Sequence, residues 1–301
     1  MMHKIKKVLV IGATGLVGSR FMELSKDKFE LVGVDEKILD ITDAEAVNIY
    51  FKNNSFDSVL NFVAVTNVDG AEKEKGDETG LTWKINVVGP KNLAEECKKT
   101  NRFLVQISTD FVFKGVEDNA GPYSEDTPLP DDNNGIGWYG WTKNRAEVEL
   151  EKSGARYSIA RIAYPFYSEK YYLKLDFAKN YLKLYDEGKL FPIFIDQTLS
   201  VLNVDDLIDP LVKILNEEII GTFHLVSSDT TTSFDFVEYL LLKARNVNGV
   251  VQKGSMKEFL KVEGRTPRPR LGGLKTEITQ EKLGMKFKTW REMVDDFVAS
   301  L

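Results

Sequence analysis

The chain has 301 residues, of which 43% are hydrophobic and 29% charged, so it can bury a substantial core in one large domain or two smaller ones. This composition disfavours an intrinsically disordered chain and a coiled coil. The formal net charge is -6, and lysine and glutamate are scattered along the chain, which argues against a nucleic-acid-binding surface.

The cysteine and histidine content predicts neither disulfides nor a metal site. The single cysteine, Cys97, cannot form an internal disulfide and fits a reducing compartment, so we expect a cytoplasmic protein. Neither of the two histidines has a cysteine or carboxylate at ligand spacing, so no structural metal is expected. No run of apolar residues is long enough to predict a membrane span.

Short apolar runs alternate with amphipathic helical stretches in the first half of the chain. The predicted strands are residues 8–11, 31–34, 58–65, 104–108 and 158–163. The predicted helices between them are residues 16–24, 44–52, 83–99 and 141–152. Strands that are apolar along their whole length are typical of a parallel sheet covered on both faces. The alternation therefore predicts an α/β fold, a Rossmann-type doubly wound parallel sheet.

Beyond about residue 165 the pattern becomes less regular. We predict a helix in residues 168–189, a strand in 191–196, a helix in 204–215, a strand in 222–228 and a proline- and arginine-rich loop in 265–273. Two short helices follow. The first is predicted to be capped by Thr279 and to end at Gly284, and the second to be capped by Thr289.

The glycines after the first strand indicate a dinucleotide site. In IGATGLVG, residues 11–18, three glycines are spaced as GxxGxxG between a strand and a helix, where backbone must approach a pyrophosphate closely. Asp35 ends the second strand, where a ribose hydroxyl needs an acceptor. We therefore predict a dinucleotide-binding Rossmann domain in residues 1–165, to which a segment at about 191–227 partly returns, and a smaller C-terminal substrate-binding lobe in 166–301.

The residues around Asp35 leave the choice of cofactor open. The Asp35 carboxylate would accept from a 2'-hydroxyl and repel a 2'-phosphate, which favours NADH, but Lys37 follows closely and would weaken that repulsion, which allows NADPH. Asp40 precedes a predicted helix. It could reach an adenine or serve simply as an acidic residue at the helix entry.

Tyr139 and Lys143 in YGWTK are the candidate catalytic pair. Their i, i+4 spacing places both side chains on one face of a helix. The same spacing occurs at two other places in the chain, so it does not identify a site by itself. This pair is distinguished by the preceding strand, which ends in QISTD at a carboxyl edge of the predicted sheet.

This pair suits the reduction of a ketone, because a carbonyl that accepts a hydride also needs a proton. At about 4 to 5 Å, Lys143 would interact with a phenolate by roughly 3 to 4 kcal/mol, which lowers the pKa of Tyr139 by about two units. We expect Thr109 to orient the same oxygen, and Asn86 to hold a water that returns a proton to the tyrosine.

These motifs resemble those of the extended short-chain dehydrogenase/reductase family over most of the chain. The matching stretches are GATGLVG, LDITD, VLNFVAVTNVDGAE, WKINVVG, ISTDFVFKG, PYSEDTPLP, YGWTKNRAE, DQTLSVLNVDDL, FHLVSSDTTT and RPRLGG. The resemblance implies that Tyr139 is the proton donor, that Lys143 is its electrostatic and ribose-binding partner, and that Thr109 tunes the tyrosine.

The resemblance also implies the binding residues. Those implied for the nicotinamide dinucleotide, besides the catalytic pair, are Gly12, Thr14, Gly15, Leu16, Val17, Asp35, Asp40, Ile41, Ala64, Val65 and Thr66. Those implied for the substrate are Thr109, Asp110 and Tyr164, and Tyr164 stands where the family usually has tryptophan.

The activity implied is that of an NAD(P)H-dependent reductase acting on a nucleotide-linked 4-keto-deoxysugar, with hydride transferred to C4. Phe111 follows Asp110, where a dehydratase of this fold would need a glutamate, and this argues against dehydration. A nucleotide-sugar epimerase and a non-catalytic, dinucleotide-binding regulatory subunit remain alternatives. We expect a small-molecule substrate, no nucleic-acid or membrane partner, and a possible homodimer.

Two features of the C-terminal lobe are compatible with two interpretations each. Arg268 or Arg270 could bind a substrate diphosphate or brace the tail against the first domain. Asp196 and Gln197 could likewise contact a ligand or serve the packing of the lobe.

Overall fold

Strands and helices alternate through the first half of the chain in the computed structural model, which describes residues 5–169, 171 and 175–301. The strands are β1 Lys7–Ile11, β2 Glu30–Val34, β3 Ser58–Asn61, β4 Phe103–Thr109, β5 Arg156–Ile162, β6 Pro165–Phe166, β7 Ile193–Phe194, β8 Thr198–Leu199, β9 Leu202–Asn203, β10 Gly221–His224, β11 Thr231–Thr232 and β12 Lys253–Gly254. The helices are α1 Leu16–Leu24, α2 Ala44–Asn53, α3 Val68–Glu72, α4 Leu81–Trp83, α5 Gly89–Thr100, α6 Trp138–Ser153, α7 Phe177–Asp186, α8 Ile208–Glu217, α9 Ser233–Arg245, α10 Met256–Leu260, α11 Glu277–Leu283 and α12 Trp290–Ala299.

Six parallel strands form the central sheet, in the order β10-β5-β4-β3-β1-β2. The predicted α/β class and doubly wound parallel sheet are therefore confirmed. The sixth strand, β10, comes from the segment that follows residue 191. Because β2 and β3 lie on opposite sides of β1, the chain changes direction at the carboxyl ends of β1 and β3, where ligands bind in sheets of this type.

Alternate residues of each central strand are buried on opposite faces of the sheet, as period-two side-chain geometry requires. Val8 and Val10 of β1 pack on the side covered by α1 and α8. Leu9 and Ile11 pack on the side covered by α2, α5 and α6, and Cys97 is fully buried in that layer. This burial on both faces explains why the strands are apolar along their whole length.

A second core is formed by residues between Phe166 and Phe297, and aromatic rings fill its centre. The Phe166 ring lies edge-on to the rings of Phe236 and Phe297, with centroids 5.6 and 5.3 Å apart. Helices α7, α9 and α12 surround this cluster. As predicted, Thr289 caps α12, and it does so through a capping box with Glu292.

Several predicted elements are shorter in the structure: the strands predicted for 191–196 and 222–228 are formed over Ile193–Phe194 and Gly221–His224. The strand predicted for residues 58–65 ends at Asn61, because the Asn61 side chain accepts a hydrogen bond from the main-chain N–H of Val63 and the chain leaves the sheet. The helix predicted for 168–189 is formed over Phe177–Asp186, with Asp176 as its N-cap. Residues 170 and 172–174 of that prediction lie outside the described residues.

The predicted cap of α11 is wrong, whereas its predicted end at Gly284 is confirmed. The residue that precedes the helix is Thr276, and Thr279 lies inside it. The Thr279 hydroxyl donates to Glu125 Oε1 at 2.6 Å and accepts from the main-chain N–H of His224 at 2.8 Å. Thr279 therefore links β10 to the loop before α6 instead of starting a helix. Across the described ranges, no helix is both long and apolar enough to cross a membrane.

Candidate active site

A cavity of about 440 Å³ lies where β1, β3, β4 and β5 end. Its walls contain Leu175 and Phe177 of the C-terminal lobe, so both parts of the chain contribute to it. The predicted site residues that line it are Gly15, Leu16, Val17, Ala64, Thr66, Thr109, Asp110, Tyr139, Lys143 and Tyr164. The predicted residues outside its lining are Gly12, Thr14, Asp35, Asp40, Ile41, Val65 and Asn86.

The glycine turn between β1 and α1 is too tight for side chains at two positions. Gly12 has a φ of 80°, and a Cβ atom on Gly18 would lie 2.2 Å from the Gly12 carbonyl oxygen. Helix α1 starts after Gly15 without a side-chain hydrogen bond that caps it from any described residue. Main-chain N–H groups at this helix end are therefore directed at the space above the turn, and the turn fits a pyrophosphate.

The acidic residues near the glycine turn are held by their own loops. The Asp35 carboxylate follows β2 and accepts from the main-chain N–H groups of Lys37 at 3.1 Å and Ile38 at 3.3 Å. Asp40 accepts from the amide and hydroxyl of Thr42, while Asp43 is the N-cap of α2. These bonds fix Asp35 at the carboxyl end of β2.

Three other predicted cofactor residues have defined neighbours. The Thr14 carbonyl accepts a hydrogen bond of 2.9 Å from the Tyr171 hydroxyl. The Ile41 side chain is buried, and a Cβ on Gly89 would lie 2.5 Å from its Cδ1. The main-chain N–H of Val65 donates to the Asn86 side chain at 2.8 Å.

Asn86 is fully buried in a π-helical turn, Lys84–Val88, that interrupts the helix predicted for residues 83–99. Its Nδ2 donates to the Val65 carbonyl at 3.2 Å and to the Thr142 hydroxyl at 3.0 Å. The Thr142 hydroxyl in turn donates to the Tyr139 carbonyl at 2.8 Å. Asn86 thus joins the loop after β3 to the helix that carries Tyr139. Such π turns are frequent at functional sites.

Tyr139 lies on the first turn of α6, half-buried against the cavity, and is hydrogen-bonded to Thr109. Burial raises the pKa of Tyr139 to about 12, the Thr109 hydrogen bond lowers it, and the Asp110 carboxylate raises it. The Thr109 hydroxyl also lies 3.1 Å from Asp110 Oδ1. Because a hydroxyl has one proton, Thr109 can donate to Asp110 or to Tyr139 but not to both.

Lys143 lies one turn further along α6, with 2% of its surface exposed. Its Nζ donates to the Ile107 carbonyl of β4 at 2.8 Å, and it lines the same cavity as Tyr139. Burial lowers the pKa of Lys143 to about 8, and the Glu147 carboxylate opposes this shift. The amine therefore carries its proton at neutral pH.

The expected lowering of the Tyr139 pKa by Lys143 is not found, because burial and the Asp110 carboxylate raise that pKa more than the Thr109 hydrogen bond lowers it. The phenol is shielded from water, which disfavours the phenolate and raises the pKa of Tyr139 to about 12. A phenol with a raised pKa remains protonated across the neutral range and is therefore available as a proton donor.

Asp110 has 2% of its surface exposed, and burial raises its pKa to about 7, although hydrogen bonds from Thr109 and from main-chain N–H groups oppose the rise. Between about pH 4 and 7 the folded protein therefore retains a proton that the unfolded chain releases, so this carboxyl makes folding less favourable as pH rises through that range.

We expect Asp110→Asn to remove this dependence. The free energy of unfolding of the variant minus that of the wild type should be about 2 kcal/mol larger at pH 8 than at pH 5. Urea unfolding at the two pH values measures this difference. Asp118→Asn, at an exposed position in the following loop, is the control and should retain the wild-type dependence. An unchanged dependence in the Asp110 variant would contradict the burial effect.

Tyr164 forms an aromatic wall of the cavity from a left-handed backbone, with a φ of 42°. Its ring lies between those of Phe111 and Phe177, at centroid distances of 6.1 and 4.8 Å. The Tyr164 hydroxyl accepts from Gln197 Nε2 at 3.0 Å, and Gln197 Oε1 accepts from Ser233 at 2.6 Å. A left-handed conformation costs energy for a tyrosine, so the surrounding contacts must hold this ring in place.

The other ambiguous residues of the C-terminal lobe make intramolecular contacts. Arg268 binds Asp69 at 2.7 Å and Arg270 binds Glu117 at 2.5 Å, which ties the proline- and arginine-rich loop to the first domain. Asp196 accepts hydrogen bonds from the start of α10. The bracing interpretation therefore describes the two arginines in this structure.

Sequence reasoning missed a buried group behind the cavity. Glu147 and Arg161 form an ion pair of 2.6 Å, and Glu147 also accepts from Ser108, which lines the cavity. The i, i+4 spacing of Glu147 from Lys143 was a signal that could have identified it. Among the described residues, no group of three or more histidine, cysteine or carboxylate side chains is arranged to hold a metal ion.

Comparisons with known proteins show which family the chain resembles over its length. The model of the RmlD substrate binding domain family matches residues 6–301. The chain is 26% identical over 293 residues to the spore coat polysaccharide biosynthesis protein SpsK of Bacillus subtilis, covering 97% of this chain and 96% of that protein. It is 28% identical over 304 residues to a dTDP-4-dehydrorhamnose reductase of Mycolicibacterium smegmatis, covering 98% of this chain and 86% of that protein. The crystal structure of dTDP-4-dehydrorhamnose reductase from Bacillus anthracis in complex with NADP has a TM-score of 0.85 at 25% identity, covering 99% of this chain and 100% of that chain.

Proposed function

Because the chain belongs to the RmlD substrate binding domain family, we propose that it is an NAD(P)H-dependent reductase of a nucleotide-linked 4-keto-deoxysugar. The substrate we propose is dTDP-4-dehydrorhamnose, the compound in the names of the relatives described above. The observation that carries this proposal is that Tyr139, its partner Thr109 and Lys143 face one cavity beside a glycine turn that fits a pyrophosphate.

The chain's own residues would hold the cofactor along the carboxyl edge of the sheet. The turn at Gly12 and the start of α1 would bind the pyrophosphate, and Asp35 would accept from a ribose hydroxyl. Lys143 would donate to the nicotinamide ribose. When bound, the dinucleotide supplies a hydride to the substrate.

Tyr139 would give its proton to the C4 oxygen of the sugar. Its raised pKa of about 12 keeps it protonated at neutral pH, and an alkoxide is a stronger base than a phenolate, so the transfer is downhill. The Thr109 hydroxyl would orient the phenol, and Asp110 would hydrogen-bond a sugar hydroxyl next to it. Tyr164 would support one face of the sugar ring.

Asn86 would act through other residues. Its three hydrogen bonds to Val65 and Thr142 hold the loop after β3 against α6, so it would set the position of Tyr139 relative to the cofactor. The water relay expected of Asn86 stays a prediction.

An assay with dTDP-4-dehydrorhamnose and either NADH or NADPH tests the proposal. We expect stoichiometric oxidation of the cofactor, followed at the absorbance band of the reduced nicotinamide, together with formation of the sugar alcohol. Comparing the two cofactors measures whether Asp35 rejects a 2'-phosphate. Interconversion of sugars without net oxidation would indicate an epimerase. Cofactor binding with neither outcome would indicate a non-catalytic subunit, and either result would contradict the proposal.

A homodimer and a cytoplasmic location stay predictions of the sequence. Sedimentation velocity measured across a range of protein concentrations would determine the oligomeric state.

A further inference from the structure

The ion pair of Glu147 and Arg161 lies behind the wall of the cavity. The two side chains are 3% exposed each. Arg161 donates through Nε to Glu147 Oε1 at 3.1 Å and through Nη2 to Oε2 at 2.6 Å, and Ser108 Oγ donates to Oε1 at 2.5 Å. The carboxylate is therefore bound by β4 and β5 while it belongs to α6. It connects the helix of Tyr139 and Lys143 to the strands that form the cavity floor.

Lys143 is the buried cation nearest to this pair along α6. Its ammonium group donates to the Ile107 carbonyl, which neighbours Ser108 on β4. A carbonyl stabilises a cation by its dipole alone, so the amine needs a carboxylate nearby to keep its charge in a buried site. Glu147 lies one helical turn beyond Lys143 on α6, bonded to Ser108 next to Ile107, and its charge raises the pKa of Lys143 against the effect of burial.

The other titratable groups at this end of the sheet do not take over the role of Glu147 as the negative charge near Lys143. Arg161 is a permanent cation. His224 on β10 lies with Nδ1 2.7 Å from the Lys275 carbonyl and Nε2 3.1 Å from Arg161, and burial beside that cation lowers its pKa to about 3, so it is neutral. Asp110, at the end of β4, has a pKa raised to about 7 and is directed at Thr109. Tyr139 is protonated.

We infer that Glu147 is a positioning residue for the reaction: it is the buried counter-charge of Lys143 and fixes that ammonium relative to β4 and β5. The inference rests on the proposed function for the role of Lys143 in turnover. If Glu147 is made neutral, the buried cations Lys143 and Arg161 lose the carboxylate that bonds to Arg161 and raises the pKa of Lys143. Arg161 cannot release its proton, so Lys143 would release its own.

The first test is the pH profile of turnover in Glu147→Gln and Glu149→Gln. Glu149 lies on the same helix but pairs with the exposed Lys152 at 3.1 Å, so it is the matched control. We expect the alkaline limb of the profile, where Lys143 loses its proton, to move down by about one pH unit or more in Glu147→Gln. A shift of one unit from a pKa of about 8 corresponds to about a fivefold loss of turnover at pH 8. The control should coincide with the wild type. An unmoved limb in Glu147→Gln would overturn the inference.

The second test needs no turnover and therefore separates this inference from the proposed function. Urea unfolding at pH 7 is measured for the wild type, Lys143→Met, Glu147→Gln and the double variant. Lys143→Met should lower the folding equilibrium constant in both backgrounds. The factor of this decrease should be at least ten times smaller with Glu147→Gln than with the wild-type Glu147. Additive effects would overturn the inference. If Glu147→Gln alone does not fold because Arg161 is left unpaired, the same cycle is measured in an Arg161→Met background, and additive effects there would also overturn the inference.

Discussion

Replacing Tyr139 by phenylalanine is expected to lower turnover by about 10² to 10⁴-fold while dinucleotide affinity stays nearly unchanged. The substitution removes the hydroxyl that bonds to Thr109 and faces the cavity, but it leaves the ring in place. Without that acid, the oxygen of the reduced ketone must take its proton from water. Steady-state kinetics with the sugar substrate and a titration with reduced dinucleotide would measure the two quantities separately.

Tyr185→Phe is the matched control for this variant. Tyr185 has a lysine four residues later, at position 189, as Tyr139 has Lys143, but it lies on α7 and packs against the core of the C-terminal lobe. The control should retain wild-type turnover. Equal turnover in Tyr139→Phe and the wild type would contradict the assignment of the proton donor.

Replacing Gly18 by alanine is expected to lower dinucleotide affinity by about 100-fold and the free energy of unfolding by about 2 kcal/mol. The new methyl group would lie 2.2 Å from the Gly12 carbonyl oxygen, which is backbone and cannot rotate away as a side chain would. Helix α1 would have to move away from the turn. The main-chain N–H groups that are expected to bind the pyrophosphate would move with it.

Gly15→Ala separates this steric effect from the loss of a glycine as such. A Cβ at Gly15 would lie 3.3 Å from the same oxygen, a contact that a shift of a few tenths of an ångström relieves. The control should therefore lose much less affinity than Gly18→Ala. Titration with reduced dinucleotide and urea unfolding measure both variants, and wild-type affinity in Gly18→Ala would show that the turn does not need this close approach.

In the proposed reaction, burial in one cavity shifts the pKa values of Tyr139 and Lys143 in opposite directions. Exclusion of water raises the pKa of Tyr139 to about 12 and lowers that of Lys143 to about 8, because each shift favours the neutral form. The first shift preserves a proton donor. The second would remove a needed cation, and the Glu147 carboxylate opposes it. In the proposed reaction, the pair of Tyr139 and Lys143 would therefore depend on a residue that does not line the cavity.

The sequence by itself determined the features that depend on local periodicity. Apolar strands alternating with amphipathic helices identified the parallel sheet, and i, i+4 spacing placed Tyr139 and Lys143 on one helical face. Gly284 and Thr289 were identified as helix termini because caps involve neighbouring residues.

Only the tertiary structure decided which buried groups meet. Arg161 on β5 reaches Glu147 on α6, and Thr279 bonds to Glu125, which is distant in the sequence, although a local pattern had suggested a helix cap. The direction of the Tyr139 shift was also beyond the sequence. The distance to Lys143 was estimated from helix geometry, whereas the burial that raises the pKa of Tyr139 comes from packing of the whole chain around the cavity.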